Sequence, residues 1–260
     1  MTTFVERIAA AGRALTRRGR APEQPLSDRL SAVAAMVTCG GTVADVGTDH
    51  AWLPVHLIHS RAASRVIAAD LRSAPLDGAR ARVEHHRLSD FIELRQGSGL
   101  TVLTPGEVST VTIAGMGGKR IAGMVAAAAP VVAQLGRLIV QPNTDVPHVR
   151  ARLRAAGLRL VDERLVFEEG HWYAVLAWEP GEEPPWSEPD VRFGPRLRER
   201  ADADLRRFLG TELARVAQIL ARAQRQGAKA KSLESLQDEL ATIEHELARL
   251  AIVAGTITKG

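Results

Sequence analysis

The chain has 260 residues, of which 45% are hydrophobic and 25% are charged, values typical of ordinary globular domains. This composition argues against disorder of the whole chain, and no apolar run reaches the roughly 18–20 residues of a membrane-spanning helix. The single cysteine, Cys39, excludes an intramolecular disulfide, and its apolar neighbours predict a small core residue. The net charge is +4, and only four of the 34 basic residues are lysines. Arginine suits phosphate recognition, although a biased coding composition explains the arginine excess at least as well.

Residues 1–25 form a basic N-terminal extension with five arginines and a proline-containing end. It has neither the apolar core nor the small-residue cleavage site of a secretory signal. We therefore expect a mobile arm with no targeting role on a cytoplasmic protein.

Residues 26–180 alternate between strand and helix patterns, which predicts an α/β fold with a parallel sheet covered on both faces. The last two strands are joined by a short turn and predict an antiparallel pair. The layout resembles the Rossmann-like sheet of class I methyltransferases more than a plain dinucleotide-binding fold. Helices are expected at about 27–36, from 51, 73–87, 119–128 and 145–156, and strands at 42–46, 65–69, 91–96, 110–114, 137–141, 158–167 and 172–178.

A proline- and acid-rich linker is expected at 181–192, followed by an all-helical segment at 193–255. Leucine and isoleucine recur from Leu233 to Leu250 at alternating spacings of three and four residues, the pattern of a coiled-coil seam. Two helices joined near Gly227 predict an antiparallel hairpin. The same seam also fits a partner helix or a second copy of the chain.

Charge is divided sharply within this helical segment. Residues 192–231 carry eleven basic and four acidic side chains, whereas 232–250 carry one basic and five acidic ones. The two helices therefore either pair electrostatically or present a basic face to a nucleic-acid backbone. On the second interpretation, the candidate RNA contacts include Arg196, Arg206 and Arg207.

The most informative segment runs from Val43 to Pro54 and joins the first strand to the next helix. Gly47 permits close approach of a ligand at the carboxyl end of the strand, where open α/β sheets bind ligands. The dinucleotide fingerprint needs three glycines, and the carboxylate of Asp49 would repel a pyrophosphate. S-adenosylmethionine, with its sulfonium, ammonium and ribose, suits this loop better than NAD.

Further polar loops follow the other strands. Asp70, after the second strand, is placed to receive ribose hydroxyls. Gly97 and Ser98, after the third, form a turn able to flank an adenine ring. After the fourth strand, Gly115, Gly117 and Gly118 surround Met116 and allow the backbone to lie against planar ligands. Gln141, Pro142 and Asn143, after the fifth, supply side-chain amides for a base edge.

These motifs resemble one family closely. The sequences Asp-Val-Gly-Thr-Asp-His-Ala-Trp-Leu-Pro, Ile-Ala-Gly-Met-Gly-Gly and Gln-Pro-Asn, with Phe193-Gly194-Pro195, are similar to the bacterial TrmK family over about residues 26–250. That family consists of tRNA (adenine(22)-N1)-methyltransferases. The resemblance implies a Rossmann-like catalytic domain that uses S-adenosylmethionine, a helical coiled-coil domain that helps hold tRNA, and methylation at N1 of adenine 22.

The resemblance also implies roles for individual residues. Ser98 departs from the Asp or Asn that relatives often carry. The implied cofactor-binding residues are Arg29, Asp45, Gly47, Asp49, His50, Asp70, Gly97, Ser98, Gly115, Met116 and Gly117. The implied substrate-binding residues are Gly118, Gln141, Pro142, Asn143 and Tyr173, and the charge pattern adds the three arginines named above.

The expected chemistry is direct displacement by adenine N1, which has a lone pair and no proton, so no general base is needed. The base must be unpaired or flipped out. We assign catalytic roles to Asp49, which would favour the cationic product, to Met116, which would line the base slot, and to Asn143, which would contact the adenine edge.

Other functions stay open at this stage. The protein could be a class I methyltransferase for another RNA site or a small molecule, or a non-catalytic RNA- or partner-binding protein with the same fold. His50, His56 and His59 are close in sequence, but no acid or cysteine completes a metal set. We therefore expect no metal and no membrane association, with a monomer favoured.

Overall fold

A computed structural model describes residues 25–227 and 229–257. The N-terminal arm expected at residues 1–25 thus falls almost entirely outside the described residues. Seven strands form one sheet in the order β3-β2-β1-β4-β5-β7-β6. The strands are β1 (Gly41–Val46), β2 (Ala63–Asp70), β3 (Ile92–Gln96), β4 (Thr110–Gly117), β5 (Arg137–Thr144), β6 (Leu158–Glu168) and β7 (His171–Pro180).

Helices connect these strands and continue after the last one. A 3-10 turn also lies at Gly99–Val102. The helices are α1 (Asp28–Ala35), α2 (Trp52–His59), α3 (Ser73–His85), α4 (Gly118–Ala127), α5 (Ala129–Val132), α6 (Val146–Ala155), α7 (Glu188–Phe193), α8 (Pro195–Glu199), α9 (Ala203–Arg225) and α10 (Ala230–Ile257). The alternating α/β pattern and the final hairpin expected from the sequence are therefore present.

Strand pairing explains why most of the first strand is buried. β1 pairs in parallel with β2 and with β4, so it has neighbours on both sides. Val43 and Ala44 are fully buried, as expected of a strand covered on both faces. In this register Asp45 lies opposite Ala68 on one side and Thr112 on the other.

The described residues divide into two compact units. One comprises residues 25–115 with 124–140, and the other 116–123 with 141–257. The hairpin β6–β7 thus groups with the C-terminal helices, whereas the sequence placed a boundary at 181–192. Part of that expected linker is the helix α7, which is stabilised by a capping box between Ser187 and Asp190.

A buried ion pair lies within the second unit. Nε of Arg150 on α6 contacts Oε1 of Glu163 on β6 at 2.6 Å, and the two side chains are 3% and 0% exposed. Arg150 also donates to the carbonyls of Val191 and Arg192, at 3.1 and 3.0 Å. Gly194 sits against this pair, since a Cβ there would lie 2.6 Å from Oε2 of Glu163. The Phe-Gly-Pro motif therefore joins α7 to α8 where only glycine fits.

The two long helices α9 and α10 pack against each other. Leu205, Leu209 and Val216 of α9 share one buried cluster with Ile243 and Leu250 of α10. The internal hairpin is thus the arrangement present. The short helix α8 also pairs with α10, since Arg198 contacts Glu246 at 2.8 Å.

Cys39 corrects one expectation from the sequence. Its side chain is exposed, not buried in the core. It lies in the turn between α1 and β1, immediately before Gly40, whose φ is +93°. Its apolar neighbours Met36 and Val37 are buried, but the turn faces the cysteine outward.

Candidate S-adenosylmethionine and substrate site

The loop between β1 and α2 has an unusual backbone. Gly47 has φ +82°, and His50 and Ala51 have φ +56° and +57°. The N–H groups of Gly47 and Thr48 both donate to the carbonyl of Ala69, at 2.8 and 3.0 Å. Two consecutive left-handed residues other than glycine are energetically unfavourable, and such strain concentrates at functional sites. The loop is held in this shape at the carboxyl end of the sheet.

Asp45 is a buried carboxylate beneath this loop. Its Oδ1 accepts a hydrogen bond of 2.8 Å from the hydroxyl of Thr112 on β4. Burial raises the pKa of Asp45 from 3.8 to about 6, despite that hydrogen bond. The charged form of Asp45 would therefore be stabilised by any donor or cation delivered to this position.

Asp70 lies at the end of the neighbouring strand, and its side chain is only 11% exposed. Oδ1 accepts from the backbone N–H of Arg72 at 2.8 Å. Oδ2 has no hydrogen-bond partner among the described residues. The carbonyl of Asp70 accepts from the N–H of Gly97 at 3.0 Å, so the first unit brings these two predicted cofactor residues together. Ser98 follows with an exposed side chain.

Asp49 is exposed and Arg29 is half-buried, both in the first unit. The side chain of Asp49 is 82% exposed and lies 3.4 Å from Nε2 of His50. Arg29 on α1 approaches Gly115, where a Cβ would be 3.5 Å from its Nη1. Gly115 has φ +73°, which explains the preference for glycine at the end of β4.

Sequence reasoning missed two residues that shape the loop. Nε of Arg82 on α3 donates to the carbonyl of His50 at 2.7 Å, and its guanidinium lies 3.1 Å from the ring centroid of Trp52. Gly78 is a glycine inside α3, where an added Cβ would overlap Nδ1 of His50. A mid-helix glycine was the available signal, since it often marks close packing.

In the second unit, the turns after β4 and β5 lie close to each other. A Cβ on Gly118 would lie 2.5 Å from the carbonyl oxygen of Thr144. Gln141 is fully buried, and its Nε2 donates to Oδ1 of Asn143 at 3.1 Å. Pro142 is also buried, whereas Asn143 is exposed. Gln141 is thus arranged to orient Asn143.

The remaining predicted substrate residues differ in their surroundings. Tyr173 on β7 is half-buried, and so is Met116 at the end of β4. Arg196 is engaged by the chain itself, since it contacts Glu183 at 2.6 Å and Glu199 at 2.7 Å. Arg207 pairs with Asp204 at 2.9 Å, whereas Arg206 has no ion pair within the described part of the chain.

The described residues hold neither a grouped set of metal ligands nor a membrane-spanning helix. Within residues 25–227 and 229–257, no three His, Cys, Asp or Glu side chains are grouped to hold a metal ion. His59 instead contacts His86 at 3.3 Å, and burial lowers the pKa of His56 and of His59. Over the same residues, no helix has the length and apolar character to cross a bilayer.

The chemistry of these side chains fits S-adenosylmethionine. The strand ends of the first unit offer the carboxylates of Asp45, Asp49 and Asp70, with a single glycine, Gly47, in the first loop. Carboxylates favour a sulfonium, an ammonium and ribose hydroxyls, whereas a pyrophosphate needs N–H groups and cations. The fold and these acids define a class I methyltransferase dependent on S-adenosylmethionine.

Comparisons with known proteins identify the family. Residues 26–176 match a methyltransferase domain model. The chain is 39% identical over 160 residues to the tRNA (adenine(22)-N(1))-methyltransferase of Bacillus subtilis. The aligned residues cover 62% of this chain and 67% of that protein. The chain belongs to the TrmK family of tRNA (adenine(22)-N1)-methyltransferases.

Two solved structures support this membership. The Bacillus subtilis m1A22 tRNA methyltransferase TrmK is 31% identical with a TM-score of 0.76, and the match covers 86% of this chain and 100% of that one. The Streptococcus pneumoniae protein Sp1610, in complex with S-adenosyl-L-methionine, is 32% identical with a TM-score of 0.78 and the same coverage.

Proposed function

We propose that this protein transfers a methyl group from S-adenosylmethionine to N1 of adenine 22 in tRNA, in the cytoplasm and as a monomer. The observation that carries the proposal is the set of carboxylates at the strand ends of the first unit, in a chain of the TrmK family. The buried Asp45 and the nearly buried Asp70 each have capacity for a ligand donor.

The first unit supplies the residues that would hold the cofactor. Asp70 would receive the ribose hydroxyls, and Gly97 and Ser98 would flank the adenine of the cofactor. Gly47 lets the cofactor approach the backbone closely, while the buried Asp45 supports the β1–α2 loop. Arg29, His50 and Gly115 would complete the contacts. Bound S-adenosylmethionine supplies an electrophilic methyl group on its sulfonium.

Positioning and electrostatics are the tasks left to the protein. Adenine N1 carries a lone pair and no proton, so no side chain has to remove a proton before attack. As N1 acquires the methyl group, positive charge develops on the adenine ring. The carboxylate of Asp49 would favour that charge, although its exposure to water weakens the effect.

The second unit supplies the residues proposed to receive the base. Met116 would line the slot for the base. Gly117 and Gly118, which have no side chains, would leave room for the base beside the backbone. Asn143 would contact the edge of the adenine. The hydrogen bond from Gln141 supports this role because it fixes the amide of Asn143.

The decisive experiment measures methyl transfer from radiolabelled S-adenosylmethionine to unmodified tRNA transcripts carrying adenine or guanine at position 22. Transfer only to the adenine transcript, with 1-methyladenosine identified by mass spectrometry, is the expected result. Transfer to both transcripts would retain the methyltransferase but move its target. Absence of transfer by protein that binds the cofactor would contradict the proposal.

The role of Asp49 has its own test. We expect Asp49→Ala to lower kcat on the order of tenfold at saturating S-adenosylmethionine, a loss separate from any change in cofactor affinity. Asp77→Ala, which removes an exposed carboxylate on α3, is the matched control. Full turnover by the Asp49 variant would show that this carboxylate has no catalytic role.

A further inference from the structure

A cavity lies beside the β1–α2 loop, entirely within the first unit. Its volume is about 470 Å³, within the ~300–1,000 Å³ range of small-ligand sites. Helices α2 and α3 form its walls, and its lining includes Trp52, His56, Ala81 and Arg82. His50 also borders it, so the cavity adjoins the loop assigned above to the cofactor and shares that one side chain with it.

Arg82 is the dominant polar group of this cavity. Its guanidinium stacks on Trp52, and its Nε is occupied by the carbonyl of His50. Neither terminal nitrogen of Arg82 has a hydrogen-bond partner among the described residues. The stacked and anchored guanidinium is thus held rigidly while two of its nitrogens stay available for an anion.

The rest of the lining favours an anion with one negative charge. Among the described residues that line the cavity, none is acidic. His50, His56, His85 and His86 place imidazoles around the cavity, and burial lowers the pKa of His56. The charge of Asp49, which is outside the lining, acts on the guanidinium of Arg82. Arginine is the one permanent cation of the set.

We propose that this cavity binds a backbone phosphodiester of the RNA substrate through the terminal nitrogens of Arg82. A phosphodiester carries one negative charge, which matches one guanidinium, whereas the phosphomonoester of a free nucleotide carries close to two. The inference rests on the proposed function, because it assigns a further contact to the same RNA. Since Arg82 also holds the carbonyl of His50, RNA bound here would brace the β1–α2 loop.

The test compares two arginines on the same helix. Arg80 lies two residues from Arg82 on α3, is exposed, and does not line the cavity. We expect Arg82→Gln to weaken tRNA binding roughly tenfold at moderate salt and to reduce the slope of log Kd against log salt by about 1. Arg80→Gln should change neither quantity by a comparable amount. An unchanged slope for Arg82→Gln, or equal effects of both variants, would overturn the proposal.

A second variant avoids the hydrogen bond to His50. Ala81→Glu places a negative charge in the cavity and leaves Arg82 in place. It should weaken tRNA binding by at least as much as Arg82→Gln, with affinity for S-adenosylhomocysteine unchanged. If Arg82→Gln weakens only cofactor binding and Ala81→Glu has no effect on RNA, Arg82 merely supports the loop, and the proposal is wrong.

Free nucleotides are tested separately. Adenosine 5′-monophosphate is titrated calorimetrically into protein already saturated with S-adenosylhomocysteine, so that the cofactor site is blocked. Tight binding that Arg82→Gln abolishes, with tRNA affinity unaltered, would assign the cavity to a free nucleotide and overturn the RNA contact. These measurements use binding alone. A protein that binds tRNA through Arg82 but methylates no adenine would contradict the proposed function without contradicting this inference.

Discussion

Both units of the molecule bury carboxylates, but they stabilise them differently. In the first unit, Asp45 is buried beside the hydroxyl of Thr112 with no ion pair among the described residues, and burial raises its pKa to about 6. In the second unit, Glu246 is also buried, yet Arg198 and Arg249 contact it at 2.8 and 2.6 Å. Burial acts to raise the pKa of Glu246, but these hydrogen bonds hold it below its ordinary value.

This difference separates acids that build the fold from acids that serve a ligand. Within the second unit, arginines of the same chain neutralise the buried carboxylates. At the strand ends of the first unit, the acids retain capacity for donors from outside, which is what a cationic cofactor supplies. Much of the arginine content of the helical segment is therefore structural.

The largest expected effect comes from breaking the buried pair of the second unit. Arg150→Met leaves Glu163 buried without its cation, so we expect a loss of about 3–5 kcal/mol in the free energy of unfolding. Arg159→Gln is the control on the same strand as Glu163, because Arg159 is half-exposed and contacts Glu179 at 3.5 Å. It should lose no more than about 1 kcal/mol. Similar losses measured by chemical denaturation would contradict the contrast between buried and exposed pairs.

Removing the charge of Asp45 should stabilise the fold, by an amount that depends on pH. Because its pKa is raised from 3.8 in the unfolded chain to about 6 in the folded one, the folded protein keeps the proton in that interval. The stability due to this group is therefore present below about pH 4 and lost as the pH rises through 6. Between pH 4 and pH 7, the free energy of unfolding of Asp45→Asn should rise by ~3 kcal/mol relative to that of the wild type. Asp77→Asn, at an exposed position, should show the same pH dependence of the free energy of unfolding as the wild type. A constant difference between Asp45→Asn and the wild type would show that the carboxyl titrates normally.

Local patterns in the sequence predicted most of the sheet and its loops. The alternation of apolar strands and helices was enough to predict the sheet, because parallel strands are buried on both faces and therefore appear in the sequence as runs of apolar residues. The helix expected from about residue 27 is α1, whose N-cap Ser27 accepts from the N–H of Leu30. The position of Asp70 at the end of β2 followed directly from the strand pattern.

Long-range pairing was the part that the sequence could not predict. Arg82 holds a carbonyl 32 residues earlier in the chain, and nothing in the spacing indicates that contact. Arg196 was included in a basic RNA-binding face, but its partner Glu183 lies in the segment expected to be a linker. A run of like charges shows where cations are, not which of them the fold neutralises.

A smaller effect is expected at the cofactor contact of Asp70. Asp70→Ala removes the proposed acceptor for ribose hydroxyls, and a hydrogen bond to a charged group contributes ~1.5–3 kcal/mol. Calorimetry should therefore find the Kd for S-adenosylhomocysteine raised roughly 10- to 100-fold. Asp77→Ala controls for loss of a nearby acid. A change below about twofold would remove Asp70 from the cofactor site.

The smallest expected effect tests whether pairing within the chain withdraws arginines from RNA. Arg206 on α9 has no ion pair among the described residues, whereas Arg215 on the same helix contacts Glu212 at 2.7 Å. That hydrogen bond is the main cause of the raised pKa of Arg215. Replacing an available cation removes one phosphate contact, so Arg206→Gln should weaken tRNA binding about three- to fivefold and lower its salt dependence. Arg215→Gln should have almost no effect on tRNA, because Glu212 already neutralises that charge. If filter binding shows equal losses for the two variants, paired and unpaired arginines contribute alike, and the helical segment attracts RNA through its total charge, not through particular side chains.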